Sequence, residues 1–450
     1  MDQPKINIIG AGLAGCEAAW QAAKLGVAVN LYEMKPNKYS PAHHSSDFAE
    51  LVCSNSLRSN DVSNAVGLLK AELSALGSLI MEAAYATEVP AGSALAVNRT
   101  DFSRYITEKI KNHPNITVID GEVTELTRDG ITVVATGPLT SDALADSLKS
   151  VVGEGLHFFD AAAPIVDFSS VDTSRAFFAS RYGKGNPEDY LNCPMTREEY
   201  DVFYRELISA EAAPLKDFDK AAQGDLTVFE GCMPVEVMAR RGYDTLRFGP
   251  MKPVGLPCPD TGEDAFATVQ LRRENREGTM YNLVGFQTHL TFGEQRRVFG
   301  LIPALENAVF LRYGVMHRNT YLNSPELLDE YYSLKSDSKL YFAGQMTGVE
   351  GYIESASSGF VAGVNAALAA LGMDRMAFPR ETMIGALAHY VSLGGVSRDF
   401  QPMNANFGII APFEKKIKGG KRCRNEAYAE RALAIVKSDF CFLTQNENSR

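Results

Sequence analysis

The stretch "INIIGAGLAGCEAAWQAAKLGVAVNLYE", Ile6 to Glu33, divides into an apolar strand (Ile6–Ile9), a glycine turn, a helix of about Leu13–Leu25 and a second strand that ends at Glu33. Strand, turn, helix and strand in that order make a βαβ unit. Gly10 permits the tight turn, Gly12 lets the backbone come close to a pyrophosphate, and Gly15 lets the helix pack against the strand. With Ala11, Leu13 and Ala14 between them, these glycines open a helix whose free N–H groups face the phosphates. Glu33 is placed to take ribose hydroxyls and disfavours a 2′-phosphate. The alternative is a glycine-rich turn that merely packs. The ordered succession of strand, turn, helix, strand and acid argues instead for a bound adenine dinucleotide.

Two later segments favour FAD over NAD. In "GITVVATGP", Gly130 to Pro138, a strand runs into Ala-Thr-Gly and places Gly137 at the turn. In "KLYFAGQMTGVEGYIESASSGFVAGVNAALAAL", Lys339 to Leu371, the strand Leu340–Ala343 leads to Gly344 and Gln345, and a loop of small residues through Gly351 opens a helix near Tyr352–Ser358. Both resemble flavoprotein motifs, and a helix N-terminus there would stabilise the negative charge of a reduced flavin; the plainer alternative is a well-packed helix of small residues. These segments lie far from Gly10, so the FAD domain is discontinuous. The expected fold is α/β: a Rossmann-type FAD-binding domain of residues 1–176 and 286–450, interrupted by an α+β insertion of residues 177–285.

The insertion differs in texture. "SRYGKGNPEDYLNCPMTREEYDVFYREL", Ser180 to Leu207, is polar with one amphipathic helix starting after Thr196, where Glu199 completes a capping box. Pro250, Pro253, Pro257 and Pro259 exclude a continuous helix across the following loop. No internal repeat or low-complexity tract is present.

Composition narrows the function. A chain of 450 residues with 45% hydrophobic and 22% charged content is globular and long enough for two or three domains. Its net charge of -11 argues against indiscriminate binding to polyanions, although a local basic patch remains possible. No apolar leader precedes the first strand, and the run Phe360–Leu371 is too short for a bilayer of about 30 Å, so a cytoplasmic protein without a membrane partner is expected. Seven cysteines with no CxxC and no metal-type cluster fit a reducing compartment and predict no metal site.

Two of those cysteines occupy polar turns. Cys53 lies in "ELVCSNSLRSN", Glu50 to Asn60, with Arg58 nearby; Cys232 lies in "FEGCMPVEVMARRG", Phe229 to Gly242, just before an expected helix Val235–Arg240 and close to Arg240 and Arg241. Such settings lower a thiol pKa, whereas most cysteines are simply small buried hydrophobes. One in each expected domain, the two could face each other across a flavin.

Across nearly the whole chain, "GAGLAG", "PAHHSSDFAELVCSNSLRSN", "NAVGLLK", "FEGCMPVEVMA", "DTLRFGPMKPVGL", "LVGFQTHLTFGEQRRVF", "GQMTGVEGY" and "FQPMNANFG" resemble the folate- and FAD-dependent tRNA (uracil-5-)-methyltransferase family, TrmFO. The resemblance implies that reduced FAD accepts the methylene carbon of methylenetetrahydrofolate and passes it to C5 of uridine 54 in the T-loop of tRNA. The flavin then supplies the hydride that makes a methyl group, and NADH or NADPH restores it. It implies Cys53 and Cys232 as the catalytic pair, since a thiolate must add to uracil C6 and a second group must remove the C5 proton. The resemblance favours Cys232 as nucleophile and Cys53 as acid/base or flavin-side partner, an order the sequence does not fix.

This chain departs from the family pattern at two positions. Cys16 stands where serine is expected and is reminiscent of the sibling flavoprotein that installs carboxymethylaminomethyl groups on wobble uridine; that sibling carries a long helical C-terminal extension for which this chain has no room. Phe292 stands where tryptophan is expected as a stacking surface for the folate pteridine. For the tRNA T-arm, the run "KKIKGGKRCR", Lys415 to Arg424, offers six basic residues in ten without an acid. Arg272, Arg273, Arg276, Arg296 and Arg297 are further candidates, and His43, His44, His289 and His317 are as readily ordinary polar residues. The competing readings are a flavin-dependent thiol–disulfide oxidoreductase, whose cysteines would normally sit a few residues apart, and a dinucleotide-sensing RNA-binding protein. No protein partner is inferred.

Overall fold

The computed structural model describes residues 3–40, 42–127, 129–153, 163–183, 190–213, 233–273, 280–314, 321–394, 403–415 and 417–443, with short pieces at 156–157, 160–161, 186, 278 and 316–317. The Ile6–Glu33 stretch forms the expected unit: strand Lys5–Ile9, helix Leu13–Lys24 and strand Ala28–Glu33. Lys5–Ile9 and Ala28–Glu33 pair in parallel, Ile6 against Val29 and Ile9 against Tyr32. Strand Ile131–Val134 flanks Lys5–Ile9 on the other side, followed outward by Asp337–Phe342, while Ile116–Asp120 closes the far edge beside Ala28–Glu33. These five parallel strands carry one short antiparallel strand, Ser333–Leu334, at the opposite edge. Ile6, Ile8, Val29, Leu31, Val133, Tyr341 and Phe342 are all buried, as expected of a parallel sheet covered on both faces.

The strand Asp337–Phe342 enters the sheet beside Ile131–Val134, so the sheet is assembled from two distant parts of the chain. The helix after it runs from Tyr352 to Ala370, starting where the sequence suggests and continuing well past Ser358. It is apolar and small all round because nearly every side is covered. Its main partner is the fingerprint helix. A Cβ on Gly359 would stand 2.2 Å from the Ala14 carbonyl oxygen, and one on Gly363 would stand 2.5 Å from Ala18 Cα. The two helix backbones touch there, so Gly363→Val forces them apart. Overpacking of this kind costs about 3 kcal/mol, and the thermal midpoint of the variant is expected to fall by several degrees, about 2–4 °C per kcal/mol for a large domain. A midpoint equal to that of the unaltered protein would show that the crossing yields without strain.

The second unit is built on an antiparallel sheet in the order Phe177–Phe178, Tyr190–Met195, Ala267–Arg273, Met280–Leu283, Ile165–Asp167, Phe310–Arg312. Its core runs from Val166 to Ala308 and includes Tyr200, Phe203, Phe286 and Phe299. It therefore reaches beyond the 177–285 span on both sides, because the flanking strands Ile165–Asp167 and Phe310–Arg312 complete the sheet with residues whose short apolar runs read equally well as the neighbouring domain. The capping box is present: Thr196 and Glu199 exchange side chain to backbone bonds at the start of helix Arg197–Ser209. The helix Val235–Arg240 also forms as expected. The C-terminal helix runs from Gly420 to Asp439, so the last residues of the basic run lie on its first turns. Lys and Arg are good helix formers, which favours this start.

Candidate functional site

The carboxyl ends of the parallel strands open into a cleft, at the position where open α/β sheets bind their ligands. Gly10, Ala11, Gly12, Leu13 and Ala14 line it from the fingerprint turn, Glu33 from the second strand, Gly137 from the turn after Ile131–Val134, and Gly344, Gln345 and Tyr352 from the late motif. The order of strands puts Glu33 and Gly121–Val123 on one side of the fingerprint strand, and Thr136–Pro138 with Gly344 and Gln345 on the other.

Glu33 is held by both ends of its turn. Its Oε2 accepts from the Ala11 amide at 2.7 Å and its Oε1 from the Lys35 amide at 3.0 Å. Each oxygen keeps a lone-pair direction for a hydroxyl. A Cβ on Gly12 would meet nothing within 4 Å, so the space in front of that backbone belongs to the cleft. Gly15 serves packing: a Cβ there would stand 1.8 Å from the Gly10 carbonyl oxygen. Gly351 lies behind the cleft wall. Its φ is 122°, and a Cβ there would stand 2.2 Å from Glu354 Oε2 and 2.3 Å from Arg58 Nη2, which leaves room only for glycine. The cleft's position, its glycine floor and its acid on the second strand fit FAD. Among the described residues, no group of three or more His, Cys, Asp or Glu side chains could hold a metal.

Among the described cysteines, Cys53 is the one that lines the cleft. Burial pushes the thiols of Cys16 and Cys193 up, Cys193 to about 12, and Cys16 donates its S–H to the Ala11 carbonyl. Cys16 is a packing residue of the fingerprint helix. Cys53 stands on a loop gripped from several directions. The Tyr352 hydroxyl accepts from the amides of Cys53 at 2.8 Å and Ser54 at 3.2 Å. Burial, and then the charge of Cys53, push the Tyr352 phenol up, so it stays neutral. Downstream, Lys70 is wholly buried on helix Ala65–Ala75 and donates to the carbonyls of Leu57 (2.6 Å) and Arg58 (3.0 Å). Burial first, and the Arg58 charge second, push its amine down to about 7. Arg58 in turn reaches the buried carboxylate of Glu354 at 2.5 Å, and Glu354 also accepts from the Ala405 amide at 3.0 Å.

The loop is also where the two sheets meet. Asn55 Nδ2 donates to the carbonyls of Val97 (3.3 Å) and Arg273 (2.8 Å), and Asn282 Nδ2 reaches Asn55 Oδ1 at 3.4 Å. Arg272 donates to Ser54 Oγ at 2.6 Å. The second sheet therefore docks on the residues that follow Cys53. Cys232 lies outside the described residues, as do Arg276 and Lys416. On the helix Val235–Arg240 that follows in the sequence, Glu236 is buried and accepts from Thr288 Oγ1 at 2.8 Å and from the His289 amide at 2.7 Å; burial raises the pKa of that carboxyl.

Several residues of this site escape a sequence reading. Lys70, Glu354 and Asn55 have no local signature, and Lys70 and Glu354 read as ordinary helix positions. Their significance comes from a loop brought to them by the fold. The arginine candidates divide. Arg272 is buried at the interface, Arg273 donates to the Tyr281 hydroxyl at 3.1 Å, and Arg297 is engaged by Glu206 and by Glu294. Phe292 is exposed and stacks on Tyr313, ring centroids 4.9 Å apart, with Phe310 next in line. His43 lines the cleft and shares a 2.5 Å hydrogen bond with Ser40 Oγ.

The family model for glucose inhibited division protein A matches residues 5–374. The chain is 64% identical over 433 residues to the protein of Acetivibrio thermocellus named methylenetetrahydrofolate--tRNA-(uracil-5-)-methyltransferase TrmFO, covering 96% of this chain and 98% of that one. It is 57% identical over 439 residues to the Bacillus subtilis protein of the same name, covering 97% and 99%. Among solved structures, GidA of Aquifex aeolicus in its form II crystal superposes with a TM-score of 0.69 at 18% identity over 98% of this chain and 74% of that chain, a likeness of fold. The chain belongs to the glucose inhibited division protein A family and, within it, to the TrmFO branch.

Proposed function

We propose that this chain is a methylenetetrahydrofolate- and FAD-dependent tRNA (uracil-5-)-methyltransferase that makes 5-methyluridine at position 54 of the T-loop with NADH or NADPH as reductant. The observation that carries it is the placement of Cys53 in the wall of a dinucleotide cleft, on the loop where the second sheet docks. An oxidoreductase reading needs a second thiol close in sequence beside the flavin, and this segment has none. The glycine turn, Glu33 and the late motif at Gly344, Gln345 and Tyr352 would hold FAD. When bound, the flavin supplies the one-carbon and two-electron chemistry.

The protein's own groups act on the uracil. A thiolate adds to C6, and the electron pair of the C5–C6 bond moves toward the C4 carbonyl, which makes C5 nucleophilic. After C5 bonds to the new carbon, a base takes the C5 proton and the C6–sulfur bond breaks with its electrons returning to sulfur. We assign the addition to Cys232 and the proton transfer to Cys53. The Tyr352 hydroxyl holds the Cys53 backbone in place through the two amides it accepts.

The deciding experiment incubates purified protein with FAD, methylenetetrahydrofolate, NADPH and an unmodified tRNA transcript, followed by nucleoside mass spectrometry. 5-Methyluridine at position 54 is expected, and tRNA from a strain lacking the gene should lose it. An unmodified transcript and unchanged cellular tRNA would overturn the reading.

Binding of tRNA by a chain of charge -11 requires a local patch. Lys415, Lys418, Arg422 and Arg424 are exposed, and Arg422 pairs with Glu426 at the surface. The Gly420–Asp439 helix packs on Ala65–Ala75, the helix that carries Lys70, and Asn425 donates to the Ser63 carbonyl at 2.9 Å. Replacing the four cations by glutamine is expected to weaken tRNA binding about tenfold or more and to lower its salt slope by about one for each phosphate no longer neutralised. The flavin spectrum should not change. An unaltered salt slope would show that these cations face solvent alone.

A further inference from the structure

Arg272 stands on strand Ala267–Arg273 of the second sheet, opposite Tyr190. Its side chain crosses to the other unit and donates to Ser54 Oγ at 2.6 Å. It is only 9% exposed, its Nε has no hydrogen-bond partner, and among the described residues no carboxylate lies within ion-pair distance of it. A guanidinium keeps its proton at any ordinary pH. A buried cation without an anion is costly, and proteins almost always pair such a charge. The residue beside its anchor is Cys53.

We propose that Arg272 is a positioning residue that holds Cys53 as a thiolate, so that docking of the second sheet creates the reactive form of the sulfur. The inference rests on the proposed role of Cys53 in tRNA methylation. The thiolate supplies the anion that the guanidinium lacks, and the Ser54 hydroxyl fixes the approach. Burial pulls the Arg272 pKa down while Tyr190, and after it Cys53 and Tyr352, push it back up, in keeping with an electrostatic partnership across the interface.

Other charged and titratable groups face this loop. Arg99, from the helix Arg99–Lys111, donates to the Leu51 carbonyl at 2.7 Å. Tyr352 lies at the start of the late helix, Glu50 and His43 line the same cleft, and Arg58 is paired with Glu354. Arg58 is neutralised by Glu354, and Glu50 accepts from the amides of His44 and Ser45. Arg99 reinforces the field of Arg272, but Arg272 is the cation tied to the residue next to the sulfur.

The test uses the FAD-loaded full chain and follows iodoacetamide labelling of the Cys53 peptide by mass spectrometry from about pH 5 to pH 10. Arg272→Met and Arg272→Gln are expected to raise the labelling midpoint by about one pH unit or more, which slows labelling near neutrality about tenfold. Arg272→Lys should restore most of the shift. Glutamine keeps a donor for Ser54 without the charge, so it separates anchoring from electrostatics and serves if the methionine variant fails to retain FAD. A midpoint in the glutamine variant equal to that of the unaltered protein, with FAD bound, overturns the proposal. Labelling needs neither tRNA nor folate. If the unaltered chain makes no 5-methyluridine, the proposed function fails while the midpoint still decides the role of Arg272.

Discussion

Gly12→Val should give a folded protein that is colourless. The backbone at residue 12 has φ −75° and ψ −172°, extended geometry that valine adopts readily, and an added Cβ meets no protein atom within 4 Å. The side chain therefore costs the apoprotein little. It fills the space where the turn must approach a pyrophosphate, so FAD affinity is expected to fall at least 100-fold, about 2.7 kcal/mol. Because a bound cofactor raises apparent stability by mass action, the thermal midpoint must be compared between the two apoproteins, where no difference is expected. A yellow variant that keeps its FAD through gel filtration would show that the pyrophosphate does not lie against Gly12. Gly363→Val is the opposite case: Gly12 guards space for a ligand, Gly363 a meeting of two helices within the protein.

The second large effect concerns the thiols. Presented with a T-loop RNA carrying 5-fluorouracil, the complete enzyme system should become covalently attached to it, because fluorine cannot leave C5 as a proton does. Cys232→Ala is expected to abolish the adduct, and turnover should drop by at least about 10⁴-fold, as for loss of a covalent nucleophile. Cys53→Ala should still form the adduct yet fail to release 5-methyluridine, with a loss of about 10²–10⁴-fold in rate if it is the base. An adduct that depends on Cys53 and survives Cys232→Ala would exchange the two roles. Full methylation by both alanine variants would end the two-cysteine mechanism while leaving the family membership untouched.

The fingerprint is legible in the sequence because each of its requirements is local. A tight turn, a helix start and a strand-terminal acid leave their mark within thirty residues, and the turn, helix and strand form at Gly10 to Glu33. Cys53 stands out for a different reason, as a thiol in a polar run where burial is not its purpose. What holds Cys53 is not legible. The sequence presents Tyr352 as part of a helix N-terminus, yet its hydroxyl accepts from the amides of Cys53 and Ser54. It presents Arg272 as a candidate cation for tRNA, yet that side chain is buried against Ser54. Both depend on partners more than 200 residues away, and no periodicity or composition encodes such a pairing. The edges of the second unit are hidden for the same reason: Ile165–Asp167 and Phe310–Arg312 are three-residue strands with no alternation to read.

The place of strand Asp337–Phe342 in the parallel sheet has a consequence for synthesis on the ribosome. The first strand and its glycine turn emerge early, but their neighbour Ile131–Val134 lacks its outer partner until residue 342 has been made, and the Tyr352–Ala370 helix that presses on Ala14 and Ala18 comes later still. Until then the side of the fingerprint helix that meets Gly359 and Gly363 has no cover, although Leu79–Ala86 and Arg99–Lys111 already pack beside it. The inserted antiparallel sheet, whose strands are contributed by one continuous span, can close while the nascent chain waits. Cofactor capture is thus confined to the final stage of translation. A chain truncated before residue 337 should emerge with its insertion packed, the Ala14–Ala18 side of its first helix exposed to chaperones, and no capacity to turn yellow.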